Sequence, residues 1–293
     1  MFRVILTLCF IWSVVLAQEE VREKKDVLER MIEPKVSFES AYLSDAGVGN
    51  SDGSVAVAKN MLRMNNAIGG ISYTNWKFDW SGVNALPFGD GSSMPIEHMH
   101  SIRANVNIPY IINKEWFWLT SLSVRSTFEK ELDDSYGAGI FSFASYKINE
   151  NHSIQLGAFA NYHPVTTLGL PVMSYSYRAR KTDGFQLILG FPRAYMGYFI
   201  NEKTLLRAGM IFSQSVIKLS SKSVIEASGY IEAEDYMGNF GLAHELSDSF
   251  RLEADLLYSI KRNFIIYDSS GQEQDYYTIN PSFGVNFRIR YLF

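Results

Sequence analysis

Apolar and polar residues alternate along most of this chain. Near the end, Phe283, Val285, Phe287, Ile289, Tyr291 and Phe293 occupy every second position, and Ser282, Gly284, Asn286, Arg288 and Arg290 fill the alternate ones. A period of two is the signature of a strand with one oily and one wet face. Phe250, Leu252, Ala254, Leu256, Tyr258 and Ile260 repeat it against Arg251, Glu253 and Asp255. Ile102, Ala104, Val106, Ile108 and Tyr110 repeat it against Arg103, Asn105 and Asn107, and 152–163 does the same. Strands of soluble sandwiches usually run about five or six residues. A strand that crosses a bilayer needs about 9–11. The pattern predicts fourteen strands, at 36–43, 53–63, 67–79, 98–111, 116–128, 137–148, 152–163, 172–180, 185–191, 194–200, 204–218, 235–246, 250–262 and 277–293. The weakest are 53–63, where Lys59 breaks the apolar face, and the short pair flanking Gly190-Phe191-Pro192; losing one pair gives twelve.

The connections alternate too. Short polar turns fall at Asn113-Lys114-Glu115, Asn149-Glu150-Asn151, Asn201-Glu202-Lys203 and Ser247-Asp248-Ser249. Longer, often acidic loops fall at 129–135, 164–171, 219–234 and 263–275. Short turns at one end and long loops at the other characterise transmembrane barrels, and an even strand count puts both termini at the periplasmic end. The expected fold is all-β: a transmembrane antiparallel up-and-down barrel over 35–293. Tyr110, Trp116, Trp118, Phe250, Tyr291 and Phe293 sit beside turns, as an aromatic girdle at the membrane interface requires. At Gly190-Phe191-Pro192, a missing amide donor and a permissive glycine end a strand and turn the chain.

The first residues bear on location. Arg3, the apolar run Val4 to Leu16 and the small Ala17 read as a secretory signal peptide over 1–17, too short to span a bilayer. The only cysteine, Cys9, lies within it, so the exported chain uses neither disulfide nor thiol chemistry. Segment 18–34 carries Val21, Val27, Leu28, Met31 and Ile32 among charges and stops at Pro34. That reads as a short periplasmic helix, or simply a leader into the first strand. A composition of 47% hydrophobic and 20% charged residues excludes a disordered chain. A net charge of −4 argues against a nucleic-acid partner.

If the oily face meets lipid, the other face lines the lumen. The lumen candidates are Arg103, Arg125, Lys147, Arg178, Arg180, Arg207, Arg251, Lys261, Arg288 and Arg290, opposed by Glu39, Glu245, Glu253 and Asp255. The expectation is a passive pore or small-solute channel whose net-basic lumen takes small anionic solutes. The alternative is a closed structural or surface-interaction barrel, in which Glu253 and Asp255 pair across adjacent strands with Arg288 and Arg290. A lipid-modifying enzyme comes third. No His-x-Ser spacing places a base and a nucleophile on one strand face, so no catalytic residue is assigned. His98 and His100 share a face but lack a third ligand, so no metal and no cofactor is expected. His152, His163 and His244 stand apart.

The final strand, with Phe287, Ile289, Tyr291 and terminal Phe293, resembles the C-terminal assembly signal of bacterial outer-membrane proteins. That resemblance implies two partners, the barrel-assembly machinery and outer-membrane lipid. Leu170-Pro171, Tyr175, Tyr177 and Leu189-Gly190-Phe191-Pro192 are similar to an uncharacterised outer-membrane β-barrel family over roughly 170–220. The resemblance implies the outer membrane as location and no particular activity.

Overall fold

The structure is a computed structural model in which residues 33–178 and 184–293 are described. The signal-peptide reading of 1–17, nearly all of the 18–34 segment and Arg180 lie outside the described residues. The strands are β1 (Lys35–Gly47), β2 (Ser54–Asn65), β3 (Gly69–Ser81), β4 (His98–Ile111), β5 (Trp116–Phe128), β6 (Tyr136–Lys147), β7 (His152–Tyr162), β8 (Thr167–Arg178), β9 (Gly184–Gly190), β10 (Arg193–Asn201), β11 (Thr204–Lys218), β12 (Tyr230–Glu245), β13 (Phe250–Tyr267), β14 (Glu273–Ile279) and β15 (Ser282–Leu292). One 3-10 turn, Val83–Ala85, is the sole helical element among the described residues.

Each strand pairs antiparallel with the next from β1 to β13. β15 then pairs with both β13 and β1, and the sheet closes. β14 continues the stave of β15 past Asn280 and Pro281, along the upper part of β13. Proline offers no amide, which interrupts the ladder there. Counted as one stave, β14 and β15 make a closed barrel of fourteen, not twelve. Lys35 faces Leu292 in register, so the first and last strands share the short-turn end.

The short turns repeat one device. Asn113 Oδ1 accepts the amides of Glu115 and Trp116 at 2.9 and 2.8 Å. Asn149 does the same for Asn151 and His152, and Asn66 for Ile68 and Gly69. An asparagine side chain closing on the amides ahead of it mimics a backbone turn and fixes the hairpin register. At the other end Phe191 and Pro192, joined by a cis bond, link β9 to β10.

Several strands run further toward the long loops than alternation predicts. The expected 164–171 loop shrinks because β8 begins at Thr167, carrying Pro171 inside the strand opposite Ala158. β12 begins at Tyr230 rather than 235, and β13 continues to Tyr267. β2 is a full strand in which Leu62 and Met64 are exposed while Val55 and Val57 are buried. Lys59 is therefore no fault in its oily face.

The two faces separate sharply in β15: Phe283 is 70% and Phe287 59% exposed, against 5% for Asn286. Exposed Ile102, Val106, Leu122, Val124, Leu156 and Leu256 continue the oily exterior around the staves. Trp116, Trp118, Tyr291 and Phe293 are exposed near the short-turn end. A closed sheet has no edge to satisfy in lipid, and an apolar exterior needs lipid. The chain is a membrane-spanning β-barrel of the outer-membrane type. Phe287→Arg is accordingly expected to lower unfolding stability by about 2–4 kcal/mol if it lies near the midplane. Urea titration in lipid vesicles reads this out, and an unchanged midpoint would place Phe287 away from the hydrocarbon.

Candidate functional site

The interior has two contrasting walls. On β13, β15, β11 and β1, charges are paired. Glu253, with a side chain 1% exposed, accepts from Arg207 at 2.6 Å and from Arg288 at 3.0 Å. Arg251 and Arg290 lie 3.0 and 3.3 Å from its other oxygen. Asp255 takes two donors from Arg207, at 2.9 and 2.7 Å, and one from Asn286 at 3.1 Å. Arg288 also donates to Glu39, which in turn lies 3.8 Å from Lys59. Cross-strand register supplies the Glu253–Arg288 pair, whereas Arg207 reaches it from β11 across β12. Buried charges at such spacing require this pairing, because a lone ion would be costly to desolvate.

Arg63, Arg103 and Arg125 stand on the other wall, on β2, β4 and β5. The register runs Arg251–Arg290–Ser37–Arg63–Ser72–Arg103–Arg125 across neighbouring strands. Barrel strands tilt, so a row perpendicular to them climbs from the short-turn end toward the loops. Among the described residues, Arg63, Arg103 and Arg125 form no ion pair; Arg63 touches Met61 Sδ and Arg125 lies 3.4 Å from the Gln214 carbonyl. The three arginines border a cavity of about 460 Å³, with Ser121, Ser123 and Asn161. Gly137 and Gly139 on β6 keep that space open, since a Cβ on Gly139 would lie 2.6 Å from Asn161 Oδ1.

The loop end is drawn together. Phe128 at the end of β5 bridges to Lys218 at the end of β11. The Glu129 amide donates to the Lys218 carbonyl at 2.9 Å, and the Glu129 carboxylate accepts the Ser220 amide at 2.8 Å. Tyr230, Ile231 and Glu232 are all buried, so both faces of β12 are covered at this end. One face carries Ile231 beside Ile217, Phe264 and Ile266 in an apolar cluster with Phe78 and Trp80. On the other, Glu232 accepts from Gln214 and from the Tyr267 hydroxyl. Loop 82–97 folds into the cluster, with Phe88 edge-on to Trp80 at 5.6 Å and the Trp80 indole donating to the Ile96 carbonyl at 2.6 Å. This seam parts the upper interior into two chambers.

Arg207, Arg251, Glu253, Asp255, Arg288 and Arg290 thus meet in one network, while Arg103 and Arg125 stand apart from it. Asp255 pairs with Arg207 rather than with Arg290. Lys147 and Arg178 share the inward parity of their strands but are exposed at the rim. Lys261 is exposed: an extra residue in β13, around Ile260, shifts the parity so that Arg262 turns inward instead. Such a bulge re-aims every later side chain. Glu245 is exposed and lies 3.5 Å from Arg251. Arg63, Arg193, Asp235 and Arg262 were not foreseen as interior residues; for Arg63, its place two positions from Met61 and four from Lys59 was the available signal.

His98 is exposed, and His100 takes Tyr73 as partner at 2.7 Å. Among the described residues no three His, Cys, Asp or Glu side chains gather as a metal site. His152 pairs with Tyr175 and His244 with Thr204. His163, in the loop after β7, is buried edge-on to Tyr230 at 5.5 Å. Burial, then the neighbouring Arg125 and Lys218 cations, pushes its pKa from 6.5 down to about 4. The unfolded chain therefore binds this proton first as pH falls. The contribution of neutral His163 is complete above its unfolded value and is lost between 6.5 and about 4. The protection factors of the 163–166 amides, with the intrinsic pH dependence of exchange divided out, are expected to fall as pH drops through that window and to stay level in His163→Gln.

No protein-family profile matches the chain, and no curated protein matches it. Solved structures do. The KdgM porin aligns over 88% of this chain and 99% of its own, at 8% identity and a TM-score of 0.36. An outer membrane channel from Pseudomonas putida F1 aligns over 89% and 96%, at 9% identity and a TM-score of 0.45. The P. putida toluene transporter TodX aligns over 89% and 90%, at 6% identity and a TM-score of 0.42. At such identities the likeness is one of fold alone.

Proposed function

We propose that the barrel is a narrow small-solute channel that prefers anions. The observation that carries this reading is the oblique arginine row. Arg63, Arg103 and Arg125 border a cavity of about 460 Å³, and no carboxylate among the described residues forms an ion pair with them. Fixed charges of one sign lining a passage raise the local concentration of the opposite ion. The paired wall of Glu253 and Asp255 cancels much of its own charge, which leaves the row to set the sign. Proteoliposome swelling tests this. Small organic anions are expected to enter faster than cations of equal size, and the triple variant R63Q/R103Q/R125Q is expected to lose the difference. Equal rates in the unaltered protein would sink the proposal.

A second reading has its own support. The seam between β5 and β11 and the apolar cluster beside it favour a closed structural barrel. Swelling no faster than that of protein-free vesicles, from a barrel shown to be folded, would select it.

A further inference from the structure

The chamber on the β1–β4 side of the seam has a composition that neither reading above explains. Its volume is about 530 Å³, within the roughly 300–1,000 Å³ typical of small-molecule pockets. Its loop-end half is apolar: Phe78, Trp80, Phe88, Ile217, Phe264 and Ile266 line it. Loop 82–97 packs against this half, held by the Trp80–Ile96 bond and a 3.1 Å bond from the Tyr277 hydroxyl to the Pro87 carbonyl. A lumen meant only to pass ions has no use for so large an oily lining, and a solid structural plug would fill the space.

At the border of the oily half sits Arg262, brought inward by the β13 bulge. Its side chain is 6% exposed. Its Nε lies 3.8 Å from Asp235, a carboxylate that also accepts from Ser259 at 3.0 Å. Nη1 and Nη2 are both buried, and neither has a hydrogen-bond partner among the described residues. Leaving such donors unmade is costly, and a planar two-oxygen acceptor satisfies them together. The charged residues lining the chamber are six cations, Lys59, Arg63, Arg193, Arg207, Arg262 and Arg288, against three anions, Glu39, Asp235 and Asp255. That excess selects an acceptor with negative charge.

We infer that this chamber binds an amphipathic anion, with its carboxylate or sulfate head on the Arg262 guanidinium and its apolar body against Phe78, Trp80 and Phe264. Binding is a separate property from passage and holds for an open or a closed barrel.

The test is equilibrium binding of labelled decanoate to the full chain in lipid nanodiscs, with empty nanodiscs subtracted. Saturable binding is expected. Decanol, which lacks the charge, should bind about tenfold or more weakly, the worth of one charge-assisted contact. Acetate, which keeps the charge but lacks the apolar tail, should bind more weakly still. Octyl sulfate should compete, and octyl glucoside should not. Arg262→Met should weaken decanoate about tenfold or more and leave decanol unchanged. Absence of saturable decanoate binding overturns the inference, as does equal affinity for decanoate and decanol. Should Arg262→Met fail to fold, the comparison of decanoate with decanol on the unaltered protein decides alone.

Discussion

Glu253→Ala is expected to destabilise the folded barrel by about 3–5 kcal/mol, the usual loss when one member of a buried ion network is removed. Glu253 is the hub on which Arg207, Arg251, Arg288 and Arg290 converge, and its side chain is 1% exposed. Its removal strands several guanidiniums in the interior, and the penalty is the unpaired buried charge rather than the lost contact. Urea unfolding from lipid vesicles, followed by tryptophan fluorescence, measures it. Arg207→Ala combined with Glu253→Ala should cost less than the two single losses added, since the pair act together. Arg290→Ala should cost far less, because that side chain is 34% exposed and water can take over. A loss below about 1 kcal/mol for Glu253→Ala would mean that the network behaves as a solvated surface cluster.

Cutting the seam should raise unitary conductance severalfold. Replacing loop 219–229 with a tight turn between β11 and β12 removes the Ser220–Glu129 bond and withdraws Leu219 from the apolar cluster. A constriction lined with apolar groups gates by excluding water, so removing its side chains should wet the passage. Glu129→Ala should show a smaller effect in the same direction, because the backbone bond from the Glu129 amide to Lys218 persists. Unchanged conductance in the shortened chain would place the narrowest point at the ion-paired wall instead.

The barrel was legible wherever one side of a strand meets lipid and the other meets charge. In β13 and β15 the two environments differ so strongly that Arg251, Glu253, Arg288 and Arg290 mark the inner face unaided. Alternation failed toward the loops for a physical reason. There the interior is apolar too, with Val55, Val57, Ile217 and Ile231 buried inside, so a period of two has nothing to contrast. Alternation alone therefore ends β12 and β13 short and makes Lys59 look like a defect. Pro171 falls within the expected 164–171 loop, yet it occupies an exposed position within β8. The site itself was less legible. Arg63, Arg103 and Arg125 come together only through register, which the asparagine turns fix, and no local pattern reports register. The single extra residue in β13 exchanges Lys261 for Arg262, a change of face that parity counting over the whole strand misses. The Arg207–Asp255 bond joins residues far apart in sequence across an intervening strand and leaves no local trace.

Single-channel recording of the refolded full chain in a planar bilayer, under a salt gradient, tests the channel reading most directly. Small, stable conductance steps are expected, with a reversal potential displaced toward the anion value. Folded protein that inserts without steps, or steps with a cation-leaning reversal potential, would contradict it.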